Sequence, residues 1–177
     1  MKLVFTLHCE TGWNIRGLLQ GDIDTVLHAV GIAHAYRKAD VAAARHRDVA
    51  RIVSSDLRRG VETAKIINYG LNVIHEIDPR LRECTYGSLQ GSTKEELAVI
   101  RGGWDDSFLE YDYREFGGEC RDDVLKRQLE ALGDLKRKYP GETVLIVGHG
   151  TSINTLFAAL GEPDLPFRRN QFRVIEY

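Results

Sequence analysis

Two apolar runs in this chain end in a histidine, KLVFTLHCETGWN near the N-terminus and ETVLIVGHGTSIN near the C-terminus. Each run is of β type, so His8 and His149 are expected where a strand stops and a loop begins. In open α/β sheets that edge gathers loops and helix N-termini, and active sites form there. Two imidazoles at one such edge, with arginines nearby, point to phosphate chemistry. Gly150 follows His149 and lets a backbone N–H approach a ligand with no Cβ in the way. Arg59 falls in the first turn of a predicted helix, whose N-terminus attracts anions through its free N–H groups and its dipole. Glu83, after Arg80 and Arg82 and before a turn at Gly87, is the candidate for proton transfer.

The elements that must position these residues alternate along the chain. Lys2–Leu7 reads as a strand, too short for a buried helix. An Ala-rich helical pattern runs from Val30 to about His46, and Ala50–Val53 is a second strand. The polar trio Ser54-Ser55-Asp56 predicts an N-cap for a helix over Leu57–Tyr69, with Gly70 as its stop. Asn72–Ile77 is a third strand and Thr93–Ile100 a short helix. Trp104–Gly118 lacks periodicity and reads as an ordered insertion or lid. The longest amphipathic helix is Asp122–Tyr139, with Val124, Leu125, Leu129, Leu132 and Leu135 near one face. Thr143–Val147 is the strand that delivers His149, Ser152–Leu160 a helix, and Gln171–Tyr177 a last strand. Strands alternating with helices imply an α/β layered sheet, mostly parallel.

With 177 residues, 43% of them apolar and 28% charged, the chain fits one ordinary globular domain. A formal charge of −2 gives no electrostatic footprint for nucleic acid or an anionic membrane. Three cysteines, an odd number, argue against a disulfide scaffold and for a reducing compartment. No run approaches a membrane span, and His8, Cys9 and Glu10 interrupt the N-terminal apolar stretch where a signal peptide would need its cleavage site. The expected location is the cytoplasm.

Taken together, the motifs resemble the histidine phosphatase superfamily, the group that includes phosphoglycerate mutase. The family's R-H-G-E-T-x-W-N and G-R-L-Q-G stand here as LHCETGWN and GLLQG, and its S-S-x-L-x-R-A-x-x-T as SSDLRRGVET. The acid segment is similar to RLRECTYGSLQG, and GGEC and VLIVGHGTSIN complete the set in order over nearly the whole chain. The resemblance implies a three-layer α/β/α sandwich with a mostly parallel central sheet, phosphoglycerate mutase-like, over residues 1–177, with a lid-like insertion around 92–118. It implies His8 as a nucleophile that becomes phosphohistidine, Arg59 and His149 as clamps on the phosphate oxygens, and Glu83 as the acid that protonates the leaving alcohol. Asn14, Gln20, Gly21, Tyr86, Lys94 and Gly150 are the implied substrate- and phosphate-binding positions. No metal or other cofactor is implied, because arginine and histidine supply the charge stabilisation.

The chain departs from that pattern at its most sensitive point. The arginine that family members place before the nucleophile is Leu7, the glycine after it is Cys9, and the arginine of G-R-L-Q-G is Leu18. Losing one phosphate-binding donor of this kind costs on the order of a hundred-fold in rate. Arg16 and Arg58, close in sequence to matched positions, are the candidates to compensate. Cys9, Cys84 and Cys120 lie in or beside the site motifs. A redox cluster or a thiolate–imidazole metal site is weighed against the preferred view that they are merely tolerated small residues. The leading expectation is metal-independent hydrolysis of a phosphomonoester, slowed by Leu7. Phosphoglycerate mutase-like phosphotransfer is the first alternative, and a catalytically impaired phosphate-binding or regulatory protein is the second. The acidic, aromatic insertion favours a small monophosphate ester over a highly anionic metabolite, no nucleic-acid or membrane partner is expected, and a homodimer is left open.

Overall fold

The computed structural model describes residues 1–101, 110–163 and 166–177. Strand β1 (Lys2–Leu7) leads through a single helical turn, α1 (Gly12–Ile15), to the long helix α2 (Ala29–Arg45). Strand β2 (Val49–Ser54), helix α3 (Arg58–Leu71) and strand β3 (Ile74–Ile77) follow. Helices α4 (Lys94–Arg101) and α5 (Arg121–Lys138) precede strand β4 (Thr143–Gly148), helix α6 (Gly150–Leu160) and strand β5 (Arg173–Glu176). The five strands lie in the order β3-β2-β4-β1-β5, and only β5 is antiparallel to its neighbour.

The sheet is covered on both faces, as the expected sandwich requires. Alternate residues of β1 point to opposite sides. Leu3, Phe5 and Leu7 join Val144 and Ile146 against Leu132, Leu135, Leu156 and Phe157 of α5 and α6. Val4 joins Ile52, Leu145 and Val147 against Ala42, Ala64 and Ile67 of α2 and α3. Strands β1 and β4 are direct neighbours with Leu7 opposite Gly148, so the two strand-ending histidines emerge side by side. The His8 N–H donates to the Gly148 carbonyl at 2.8 Å and extends the ladder by one more bond.

Local chemistry moved several boundaries. The trio Ser54-Ser55-Asp56 does not cap α3: Leu57 stands at the N-cap without a side-chain bond, and Asp24 Oδ1 accepts from the Arg58 N–H at 2.7 Å. The two serines are engaged elsewhere, Ser54 with His75 and Ser55 with His149. Gly70 does not stop that helix either; Asn72 does, in the left-handed region at φ 52°. Gly70 is small for a different reason, since a Cβ there would lie 2.5 Å from the Ala39 carbonyl of α2. Helix α6 starts two residues earlier than expected, directly after His149, and α1 is a turn that the sequence pattern did not signal.

The lid expected around 92–118 is only partly in view, because residues 102–109 lie outside the described residues. In its second half Tyr111 and Tyr113 pack with Cys84 and Tyr86, and the Tyr111 hydroxyl meets Thr155 Oγ1 at 2.9 Å. Asp112 pairs with Arg114 at the surface. Among the described residues no helix is long and apolar enough to cross a membrane.

Candidate active site

At the C-terminal edge of β1 and β4 the rings of His8 and His149 lie 5.1 Å apart, both buried. The His8 Nδ1 sits 2.7 Å from the Cys9 carbonyl. A carbonyl oxygen only accepts, so Nδ1 carries the proton and Nε2 keeps its lone pair. Burial pushes the His8 pKa well below its ordinary value, helped by the charges of Arg59, His149 and Arg169. His8 is thus a neutral imidazole with one oriented, unprotonated nitrogen. It lines a cavity of about 610 Å³ together with Asn14, Arg59, Glu83, Gly150 and Arg169.

His149 is the N-cap of α6 and is held by Ser55, whose Oγ is 2.6 Å from Nε2. Its Nδ1 is buried without a hydrogen-bond partner among the described residues. Burial is again the main cause that takes its pKa well below the usual value, followed by the charges of Arg59 and Arg127. Both shifts bear on stability. The unfolded chain takes up these protons near pH 6.5, whereas the folded chain resists them, so stability is full above 6.5 and falls as the pH drops below it. The melting temperature is expected to decline on acidification below that point. His149→Gln should flatten part of the decline, with His8, and with His46 and His75, also lowered by burial, supplying what remains.

Arg59, in the first turn of α3, is completely buried, and two loop carbonyls hold it in place. Its Nη1 donates to Ile23 O at 2.7 Å and its Nη2 to Gly21 O at 2.6 Å. The Nε has no hydrogen-bond partner among the described residues. A guanidinium has five N–H donors, so most remain for a ligand. Gly21 serves through that carbonyl, at φ 56°. Gln20 is buried and accepts from Thr11 and Thr25 hydroxyls, which braces the same loop. Asn14 closes a capping box with Thr11 through Oδ1 and lines the cavity.

Glu83 does not engage the arginines beside it in sequence. Arg80 pairs with Asp78 and Asp134, and Arg82 with Asp56. The Glu83 carboxylate accepts instead from three backbone N–H groups, Cys84 at 2.9 Å, Thr151 at 3.1 Å and Ser152 at 2.9 Å. The last two belong to the first turn of α6, whose N–H groups have no partner within the helix. Arg127 of α5 fixes the segment from behind by donating to the Arg80, Arg82 and Glu83 carbonyls. No motif pointed to Arg127, Thr151 or Ser152, since their contributions are made through or to the backbone.

The remaining candidates divide. Tyr86 is buried and lines the cavity, its hydroxyl bonded to Thr151. Arg16 lines the rim with its Nε on the Gly12 carbonyl of its own turn. Arg58 points away: its side chain is 63% exposed beside Glu62. Lys94 opens α4, but its side chain lies outside what the structure describes. The cysteines do not converge. Cys9 packs with Leu27 and Ala35, Cys84 with Tyr86 and Leu89, and the Cys120 thiol caps α5 through Asp123. Burial raises the Cys9 and Cys84 pKa values, which keeps both as inert thiols. Among the described residues no group of histidine, cysteine and acidic side chains could hold a metal ion.

Comparison with known proteins identifies the family. The family description that matches is the histidine phosphatase superfamily (branch 1), over residues 3–174. The chain is 33% identical over 160 residues to a metal-independent phosphoserine phosphatase of Arabidopsis thaliana, covering 88% of this chain and 67% of that protein. The solved structure of YhfR of Bacillus stearothermophilus superposes with a TM-score of 0.85 at 32% identity, over 99% of this chain and 90% of that one. A mycobacterial glucosyl-3-phosphoglycerate phosphatase in complex with VO3 superposes at 0.79 and 32% identity, over 90% and 81% of the two chains. The chain therefore belongs to the histidine phosphatase superfamily, as an enzyme of its phosphohydrolase and mutase type.

Proposed function

We propose that this protein hydrolyses a small phosphomonoester without a metal ion, through a phosphohistidine on His8. The observation that carries the reading is the His8 ring itself, buried, neutral and held by the Cys9 carbonyl so that Nε2 is free to attack. In the first step Nε2 forms a bond to phosphorus while the ester P–O bond breaks, and Glu83, which must enter this step in its protonated form, gives that proton to the departing alcohol. Arg59, the His149 Nδ1, the Asn14 amide and the Gly150 N–H stabilise the phosphoryl oxygens as charge moves onto them. In the second step the Glu83 carboxylate takes a proton from water, whose oxygen attacks phosphorus as the P–N bond breaks. Inorganic phosphate leaves and the site returns to its starting state.

Relatives named as phosphatases and relatives named as phosphoglycerate mutases both match the chain, so the choice between hydrolysis and transfer rests on experiment. Of the described residues of the insertion, Glu95 lines the cavity and none of residues 110–118 does. The test is incubation with p-nitrophenyl phosphate in the presence and absence of a chelator. Chelator-resistant release of free phosphate is the expected result. Phosphate exchange on phosphoglycerate that needs a bisphosphate primer would establish the mutase reaction instead. Phosphate binding with no turnover at any pH would establish the binding protein.

A further inference from the structure

Position 7 offers the site no cation. Leu7 is 4% exposed and packs into the apolar layer with Leu3, Phe5 and Ile153, so its side chain belongs to the core. Arg58 is turned to solvent, and Arg16 sits at the rim, exposed and bonded to its own turn. Lys38 is buried near the strand end, but its ammonium is engaged with Thr6 Oγ1 and the Leu7 carbonyl, each at 2.7 Å. One further cation lines the cavity that holds His8: Arg169, from the turn that precedes β5.

We propose that Arg169 is a phosphate-binding residue of this site, the cation that replaces the arginine absent before the nucleophile. The inference rests on the phosphohydrolase reading above and adds to it a residue from the far end of the chain. The turn is clamped on both sides of Arg169. Phe167 exchanges hydrogen bonds with the Asn154 amide of α6, at 2.6 and 3.3 Å. The Gln171 carbonyl accepts from Thr6 Oγ1 of β1 at 2.9 Å, and the Gln171 side chain accepts from the Arg168 N–H at 2.9 Å. These anchors attach the turn to the two elements that carry His149 and His8. The backbone that carries Arg169 is thereby fixed beside the site.

Its chemistry is that of a donor awaiting an anion. The Arg169 Nε is buried and has no hydrogen-bond partner among the described residues. A buried guanidinium N–H without a partner is costly unless a ligand satisfies it, and a phosphate oxygen is a strong partner for it. The same residue also lines a second cavity of about 630 Å³ with Cys9, Glu10 and Lys38, and is thus shared by the two spaces. Its charge is felt by His8 and His149, where it helps keep both rings unprotonated. Arg169 approaches from the neighbouring β5 side, with no change to the core that Leu7 fills.

The test compares Arg169→Ala, Arg169→Lys and Arg168→Ala in the full chain. The readouts are turnover of p-nitrophenyl phosphate, binding of inorganic phosphate and the melting temperature. Arg169→Ala is expected to lower kcat/KM by about a hundred-fold and to weaken phosphate binding, with Arg169→Lys intermediate. Arg168→Ala, an exposed neighbour that lines only the second cavity, should leave both readouts unchanged. A folded Arg169→Ala protein with wild-type turnover and phosphate affinity would overturn the proposal, and so would equal losses in Arg168→Ala. The two readings fail separately. A wild-type protein without turnover removes the phosphohydrolase reading, yet phosphate binding still decides Arg169: weakened in Arg169→Ala it upholds the site, unaltered it refutes it.

Discussion

Replacing His8 with alanine is expected to remove turnover of phosphate monoesters by about four orders of magnitude or more, as loss of a nucleophile does elsewhere. It should also remove the phosphoenzyme, which on a histidine nitrogen is labile to acid and stable to alkali. Inorganic phosphate should still bind, because Arg59 keeps its place between the Ile23 and Gly21 carbonyls and the Gly150 N–H still opens α6. That combination separates a nucleophile from a clamp. The hydrogen bond from Nδ1 to Cys9 O adds a finer expectation. His8→Gln can fill part of the volume but offers no nucleophilic nitrogen, so it should resemble alanine rather than wild type. Quench-flow trapping of the labelled enzyme reads the result. Alanine or glutamine variants that retain labelling would place the phosphoryl group on another residue and defeat the mechanism.

What the sequence made legible follows from which interactions have a periodic or compositional trace. The strands carrying His8 and His149 are apolar on both faces, so their runs stand out, and the parallel pairing of β1 with β4 brings their ends together. The helix that begins near Arg59 was visible, but its cap was not. Asp24, 34 positions earlier, supplies the capping carboxylate, and a long-range cap leaves no local pattern. Ser55 looked like part of a cap because serine is common there. In the fold it meets His149 instead, across 94 positions. Arg169 left no trace at all: FRRN has neither periodicity nor spacing to distinguish it, and only the closure of β5 against β1 brings it to the site. The doubt raised by Leu7 thus moves from whether a cation is missing to where it enters.

On the proposed mechanism Glu83 works twice, and the two uses separate experimentally by choice of leaving group. An alkyl phosphate releases a poor leaving group that must take a proton as the P–O bond breaks. Glu83→Gln should therefore slow its hydrolysis by about a thousand-fold, within the range of general acid catalysis. The p-nitrophenolate ion leaves without that help, so phosphorylation of His8 by p-nitrophenyl phosphate should be far less affected. The second step has no such exemption, because water attacking the phosphohistidine needs the carboxylate as base. Glu83→Gln is thus expected to give a burst of nitrophenol equal to the enzyme present, a slow steady state, and accumulation of acid-labile phosphoenzyme. The glutamine cannot reproduce the original contacts completely. The carboxylate accepts from Cys84 and Ser152 on one oxygen and from Thr151 on the other, and an amide NH2 facing either N–H would be repelled. Glu83→Asp, which keeps the charge but shortens the reach, guards against reading that disturbance as chemistry. It should lower both esters together without the burst. Equal losses for the two esters in Glu83→Gln, with no phosphoenzyme, would show that Glu83 anchors the N-terminus of α6 and moves no proton.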